Sequence, residues 1–266
     1  MTFIDLRFLT WPEAAALREE PDVIGLIPTG ALEQHGPHLP MIMDSVHADA
    51  LGRAIAERLW VPVIVAPVVT AGLSDHHLAF PGTVTLRPET FRGIVEAYIA
   101  AFERLAIGRI AIFSGHGGNF TEIGRIAAAQ TQSESPTTVI AYDDLQRFID
   151  LFMDAARRAG LDPPVTDIHA GLLETSIALT LFDADQLKPF EEVRGYTAAD
   201  PGWLETLMSR GIRELSESGV LGSPVGANAE AGAAMFDALV DELVSWICQE
   251  FQVPTGPDAD AQRVCG

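Results

Sequence analysis

Short runs of apolar, β-branched residues alternate along the first half of the chain with longer segments whose apolar positions recur at helical spacing. The runs at 23–28 (VIGLIP), 61–69 (VPVIVAPVV), 109–115 (RIAIFSG) and 137–142 (TTVIAY) read as buried strands. Between them, 45–59, 88–106 and 119–132 read as helices. Pro88 suits a first helical turn, and Asn119 followed by Glu122 suits an N-cap with a capping box. Strand–helix–strand alternation predicts an α/β fold with a parallel sheet covered on both faces. Beyond Tyr142 the pattern turns mostly helical, over 144–159, 171–182, 201–217 and 229–251. In the last of these, Met235, Leu239, Leu243 and Trp246 form one stripe, better explained as core or subunit packing than as a ligand box. No repeat or linker divides the chain. One domain over 1–253 is expected, followed by a flexible tail at 254–266.

Composition narrows the partners. Of 266 residues, 17 are basic and 37 acidic, a net charge of -20 that repels phosphate backbones and anionic lipid. Nucleic-acid and membrane partners are therefore not expected. The two cysteines, Cys248 and Cys265, provide neither a disulfide framework nor a Cys-based zinc site. The start, MTFIDLRFLTWPE, lacks a basic stretch followed by an apolar one, so the expected location is the cytoplasm.

The candidate chemistry lies in the histidines. All seven fall between positions 35 and 169, and several follow predicted strands. Glu33, His35 and His38 follow the strand at 23–28, His76 and His77 that at 61–69, and His116 that at 109–115. In parallel α/β sheets ligands bind beyond the carboxyl ends of the strands, so the pattern brings sequence-distant residues to one rim. Glu33 and His35 share a face of an extended segment, a start for a divalent metal site. Asp44, just before the helix at 45–59, is either a ligand or a plain N-cap. His116 sits in SGHGGNF, where glycines permit a tight turn. Glu174 lies in an otherwise apolar stretch and needs a partner, whether a metal or a salt bridge. His38 and His47 are expected to be structural or to support the ligands from behind, and Asn119 to be a cap.

These segments resemble the creatininase (creatinine amidohydrolase) family. The resemblance rests on PTGALEQHGPHLPMIMDSVHA (28–48), HHLAFPGTVTL (76–86), FSGHGGNF (113–120) and HAGLLETS (169–176), with GVLGSPVGANAEAG (219–232) late in the chain. It implies a three-layer α/β/α sandwich around a mostly parallel sheet, holding two divalent metal ions per subunit. On the matching positions Glu33 and His116 would bind one metal, His35 the other, and Asp44 both. The creatinine-hydrolysing branch has a glutamate two residues beyond the histidine of its Gly-His motif, where this chain has Gly118. The fifth ligand is therefore expected to be Glu174, from the ETS motif. Two metals roughly 3.5–4 Å apart share one water and make it a hydroxide nucleophile. His169 would be the catalytic acid/base that protonates the leaving nitrogen. His76 and His77 would stand over the site as substrate-binding residues, reach in from a neighbouring subunit, or end a strand. The mixed O/N ligand set suits zinc, manganese or iron. Family members are usually homo-oligomers, often hexamers.

The implied activity is hydrolysis of a C–N bond in a small amide, formamide or cyclic amide. Alternatives on the same site are cleavage of a C–C bond in a cyclic ketone, cleavage of a precursor peptide, or a metal-binding scaffold without turnover. Creatinine itself is not expected. The tryptophans that family members use for it are missing from 163–171 and 141–146, and Trp11, Trp60, Trp203 and Trp246 lie elsewhere.

Overall fold

In the computed structural model, which describes residues 3–133 and 135–254, five strands form one all-parallel sheet. They are β1 (Phe3–Asp5), β2 (Ile24–Thr29), β3 (Val63–Val65), β4 (Arg109–Ser114) and β5 (Thr138–Ala141), in the order β1-β3-β2-β4-β5. All six residues of central β2 are buried, as are five of the six in β4. Such continuous apolar runs mark strands covered on both faces.

Helices supply the two outer layers. The short α1 (Trp11–Ala16) precedes β2 and buries no residue, and one face of the sheet is covered by α3 (Pro88–Arg104) and α4 (Phe120–Thr131). The α3 stripe is Phe91, Val95, Ile99 and Phe102, the spacing of one helical face. The opposite face carries α2 (Met43–Arg58), α5 (Leu145–Arg158), α6 (Leu172–Leu181) and α8 (Ala229–Phe251). A smaller cluster, outside both layers, forms around α7 (Trp203–Arg210). Met235, Leu239 and Leu243 of α8 are buried in the core, with Ile247 continuing the stripe and Trp246 set edge-on against Tyr142 at 5.4 Å. That stripe is packing, as expected.

The topology positions the site. From β2 the chain crosses to β3 on one side, then returns to β4 on the other, so β2 and β4 flank a switch point. Loops leaving their carboxyl ends diverge there and open a crevice.

Several local expectations are corrected. β1 is too short to announce itself by pattern. The strand expected at 61–69 shrinks to three residues because Pro67 has no N–H to give the ladder. The helix expected over 201–217 stops at Gly211, whose φ is 89°, and resumes as a short 3-10 turn, Ile212–Glu214. Asn119 stands at the N-terminus of α4 but does not cap it. Its carboxamide accepts from the Leu73 N–H at 3.0 Å and donates to the Gly30 carbonyl at 3.0 Å, tying two rim loops together. Glu122 pairs with Arg92 instead of closing a capping box. Of the expected tail, residues 255–266 lie outside the described residues. Among the described residues, no helix is long and apolar enough to cross a membrane.

α6 and α8 meet backbone to backbone at Gly232, where an added Cβ would press on the Ser176 carbonyl oxygen. Gly232→Ala is expected to cost about 1–3 kcal/mol through overpacking. The check is the urea midpoint, and an unchanged midpoint would contradict this contact.

Candidate metal centre

The crevice at the carboxyl edge gathers residues from five separate segments. The loop after β2 carries Glu33, Gln34 and His35, and the connection after β3 ends in a 3-10 turn, Asp75–His77. His116 follows β4 directly. Asp44 is the second residue of α2, whose N-cap is Ile42, so its carboxylate is not a cap. His169 precedes α6, and Glu174 lies in the first turn of that helix. Glu33, Gln34, His35, Asp44, His77, His116 and His169 are buried, and His76 and Glu174 are half-buried at the cavity surface.

Asp44 sits between two imidazoles. Its Oδ1 is 3.1 Å from His35 Nε2, and its Oδ2 is 3.2 Å from His116 Nδ1. Glu174 Oε2 lies 3.7 Å from His35 Nε2 and 3.9 Å from His169 Nδ1. Glu33 Oε2 is 3.4 Å from His116 Nε2, while Glu33 Oε1 is 3.7 Å from His169 Nδ1.

The other ring nitrogen of each of these histidines is held by a backbone carbonyl. His35 Nδ1 is 3.1 Å from the Glu33 oxygen, His116 Nε2 3.1 Å from that of Leu73, and His169 Nε2 2.8 Å from that of Gln34. A carbonyl only accepts, so each of those nitrogens carries the proton of the neutral ring. The lone pairs of His35 Nε2, His116 Nδ1 and His169 Nδ1 then point at carboxylates. Lone pairs facing carboxylate oxygens repel unless a cation lies between. Both oxygens of Glu33 and Oδ2 of Asp44 are buried without a hydrogen-bond partner. Imidazoles anchored through one nitrogen and free at the other are the form in which histidine binds metal. The residues fit divalent cations. Glu33, His35 and Asp44 form one compact ligand trio, and His35, His169 and Glu174 another.

The electrostatics agree. Burial pushes Glu33 and Glu174 up to about 7, partly offset by His116 and His35 respectively. Burial opposes the charged form of His35, but the Asp44 carboxylate outweighs it and pushes the group up to about 10. His116 is likewise pushed up to about 9, burial being outweighed by Glu33 and Asp44. Without a cation, protons take its place.

The remaining candidates fall around this cluster. His77 Nε2 approaches Glu33 Oε1 at 3.3 Å, and the His76 ring stacks on His116 with centroids 5.8 Å apart. Both belong to the wall of the site within this chain. His38 bonds Thr175 Oγ1 at 2.9 Å, beside Glu174, and His47 packs among Phe148, Phe152 and Phe236. Both are structural, as expected. At Gly118 an added Cβ would run into the Leu73 carbonyl oxygen and the His116 ring, so this backbone has no room for a side chain there. Glu174 brings its carboxylate to the cluster from α6 instead.

Two residues escaped the sequence reading. Gln34, between Glu33 and His35, reaches both His77 and His169. Asp167 accepts from the N–H groups of Leu172 and Leu173 at 2.9 and 3.0 Å and so fixes the start of α6. An acidic residue just before a helical stretch was the available signal.

A cavity of about 420 Å³ opens from the cluster. Its outer wall is apolar, with Leu145, Phe148, Ile149 and Phe152 facing Leu207 and Met208. Among the described residues, no lysine, arginine or tryptophan lines it.

Fold and cluster together define a parallel α/β protein with a candidate metal centre at the carboxyl edge of its sheet. The chain belongs to the creatininase family, whose model, described as creatinine amidohydrolase, matches residues 7–247. It is 32% identical over 245 residues to the mycofactocin precursor peptide peptidase of Mycobacterium tuberculosis (strain ATCC 25618 / H37Rv), covering 87% of each chain. To the creatinine amidohydrolase of Pseudomonas putida it is 29% identical over 189 residues, 65% of this chain and 70% of the other. Among solved structures, one named Creatininase Mn superposes with a TM-score of 0.72 at 24% identity, covering 94% of this chain and 99% of that one. That likeness bears on the fold. The named relatives are hydrolases.

Metal binding must displace the protons that His35 and His116 hold. Both groups have raised pKa values, so they are protonated at pH 7 and bare only above about 9 to 10. Zinc added to chelator-stripped protein at pH 7 is expected to release about two to three protons per chain, two from His35 and His116 and the rest from Glu33 and Glu174, which burial pushes up to about 7, with apparent affinity falling as pH falls. Calorimetry in buffers of different ionisation enthalpy measures this. Binding without proton release would contradict the cluster's charge state.

Proposed function

We propose that the protein is a dinuclear divalent-metal-dependent hydrolase of a C–N amide bond, and that its substrate is a peptide. The observation that carries this reading is the convergence of three carboxylates and three imidazole lone pairs on one buried space. Glu33 and His116 would hold one cation, His35 and Glu174 the other, and Asp44 would reach both through its two oxygens. Two divalent charges against three carboxylates leave one net positive charge, suited to stabilising an oxyanion. When bound, the metals supply an activated water and polarise the scissile carbonyl; zinc, manganese and iron all suit this ligand set.

The chain's own groups supply the rest. His169, its Nε2–H tied to the Gln34 carbonyl, presents Nδ1 to the cluster, where it takes a proton from the attacking water. The same nitrogen then delivers that proton to the departing amine, which would otherwise leave as an unstable anion. His76 and the apolar cavity wall would hold the substrate.

Two observations favour a peptide. Relatives 32% identical over most of the chain are named for cleavage of a precursor peptide. The cavity wall suits an uncharged apolar side chain next to the scissile bond, and it offers neither cations nor stacked indoles for a small polar ring.

The first test is turnover of formamides, lactams and short peptides with apolar residues, after loading with zinc, manganese or iron. Metal-dependent cleavage of peptides is expected; tight metal binding with no turnover of any amide would indicate a scaffold. Asp44→Ala is expected to lose both equivalents by elemental analysis, because one residue serves both. His169→Ala is expected to keep two metals and lose rate by roughly 10²–10⁴-fold. An unchanged rate would assign proton transfer to another group.

A further inference from the structure

Glu33, His77 and His169 form a third compact trio of metal-type donors, beside the two named with the candidate metal centre. The chain nonetheless has a device that keeps His77 from acting as a ligand. Its centre is Gln34. The Gln34 Oε1 accepts the Gly36 N–H at 2.9 Å, and its Nε2 donates to the Gly219 carbonyl at 3.0 Å. A backbone donor on one side and a backbone acceptor on the other fix which end of the amide is which.

One N–H of Gln34 Nε2 is then left. It has two neighbours, His77 Nδ1 at 2.8 Å and His169 Nε2 at 3.0 Å. The latter already carries a proton, donated to the Gln34 carbonyl at 2.8 Å, since a bare nitrogen there would set two lone pairs against each other. The remaining N–H therefore goes to His77 Nδ1, which must be bare. A neutral His77 accordingly carries its proton on Nε2, 3.3 Å from Glu33 Oε1.

We infer that Gln34 is a positioning residue: its side-chain amide locks His77 as an Nε2–H donor toward Glu33, while its backbone carbonyl turns His169 to present Nδ1 as an acceptor. Two adjoining imidazoles, with centroids 4.4 Å apart, thus face the site with opposite polarity. The lock holds the metal count at two, because a protonated nitrogen cannot ligate. It also places an N–H 3.3 Å from Glu33 Oε1, while the His116 Nε2–H stands 3.4 Å from Oε2. This deepens the proposed function and rests on it for the count of two metals, but the tautomers stand without any reaction.

The test is nitrogen-15 NMR of the histidine rings in metal-free wild-type protein and in Gln34→Glu, with zinc stoichiometry on both. In the wild type, His77 and His169 are both expected as Nε2–H tautomers. A His77 with its proton on Nδ1 would overturn the inference whether or not any variant folds. In Gln34→Glu the new carboxylate still accepts from Gly36 but can no longer donate to His77. The His77 proton is expected to move to Nδ1, and the bared Nε2 to bind a third zinc equivalent. That third equivalent should vanish in the double variant Gln34→Glu/His77→Phe. An unmoved His77 proton, or a stoichiometry still at two, would overturn the lock. Wild-type protein with these tautomers but no amide turnover would reject the hydrolase reading and support the lock.

Discussion

Three imidazoles each spend their one proton on a backbone carbonyl, and the rest of the site follows from that constraint. With Nδ1 of His35, Nε2 of His116 and Nε2 of His169 committed outward, the inward nitrogens of the neutral rings can only accept, and at His35 and His116 a cation or an added proton must meet them. They share the buried space with Glu33, Asp44 and Glu174, which also only accept when ionised. Such a surplus of buried acceptors is costly unless cations fill it. The carbonyls that impose it belong to the loops beyond β2 and β3, so the parallel sheet and its switch point set the chemistry as well as the shape.

The supporting parts act on the same constraint. Asp167 anchors the first turn of α6, and with it the approach of Glu174. The Asn119 amide clamps the loops bearing Gly30 and Leu73, one of which provides the carbonyl for His116. Gln34 adds a side-chain donor, its Nε2–H to His77 Nδ1 at 2.8 Å. Beyond this polar floor the cavity turns apolar, and of its lining residues Leu204 and Met208 are 52% and 68% exposed.

Much of this was legible in the chain. The central strands announced themselves as continuous apolar runs, and the clustering of histidines after strand ends pointed to one rim. Glu33, His35, Asp44, His116, His169 and Glu174 do converge. Hidden from the sequence were features that depend on three-dimensional partners. Asn119 resembles a cap in one dimension, but the Leu73 amide and the Gly30 carbonyl claim its side chain in three. Gln34 carries no signal in the pattern, because in an extended segment it would point away from Glu33 and His35; the irregular loop turns it back between two rings. Backbone carbonyls leave no trace in the side-chain pattern, so the tautomers were invisible there too.

The most direct measurement is a crystal structure of the zinc- or manganese-loaded protein with anomalous-scattering maps. Two peaks are expected, one between Asp44 Oδ1 and His35 Nε2 and the other between Asp44 Oδ2 and His116 Nδ1. Maps without a peak at Asp44, in crystals soaked to saturation, would contradict the account at its centre.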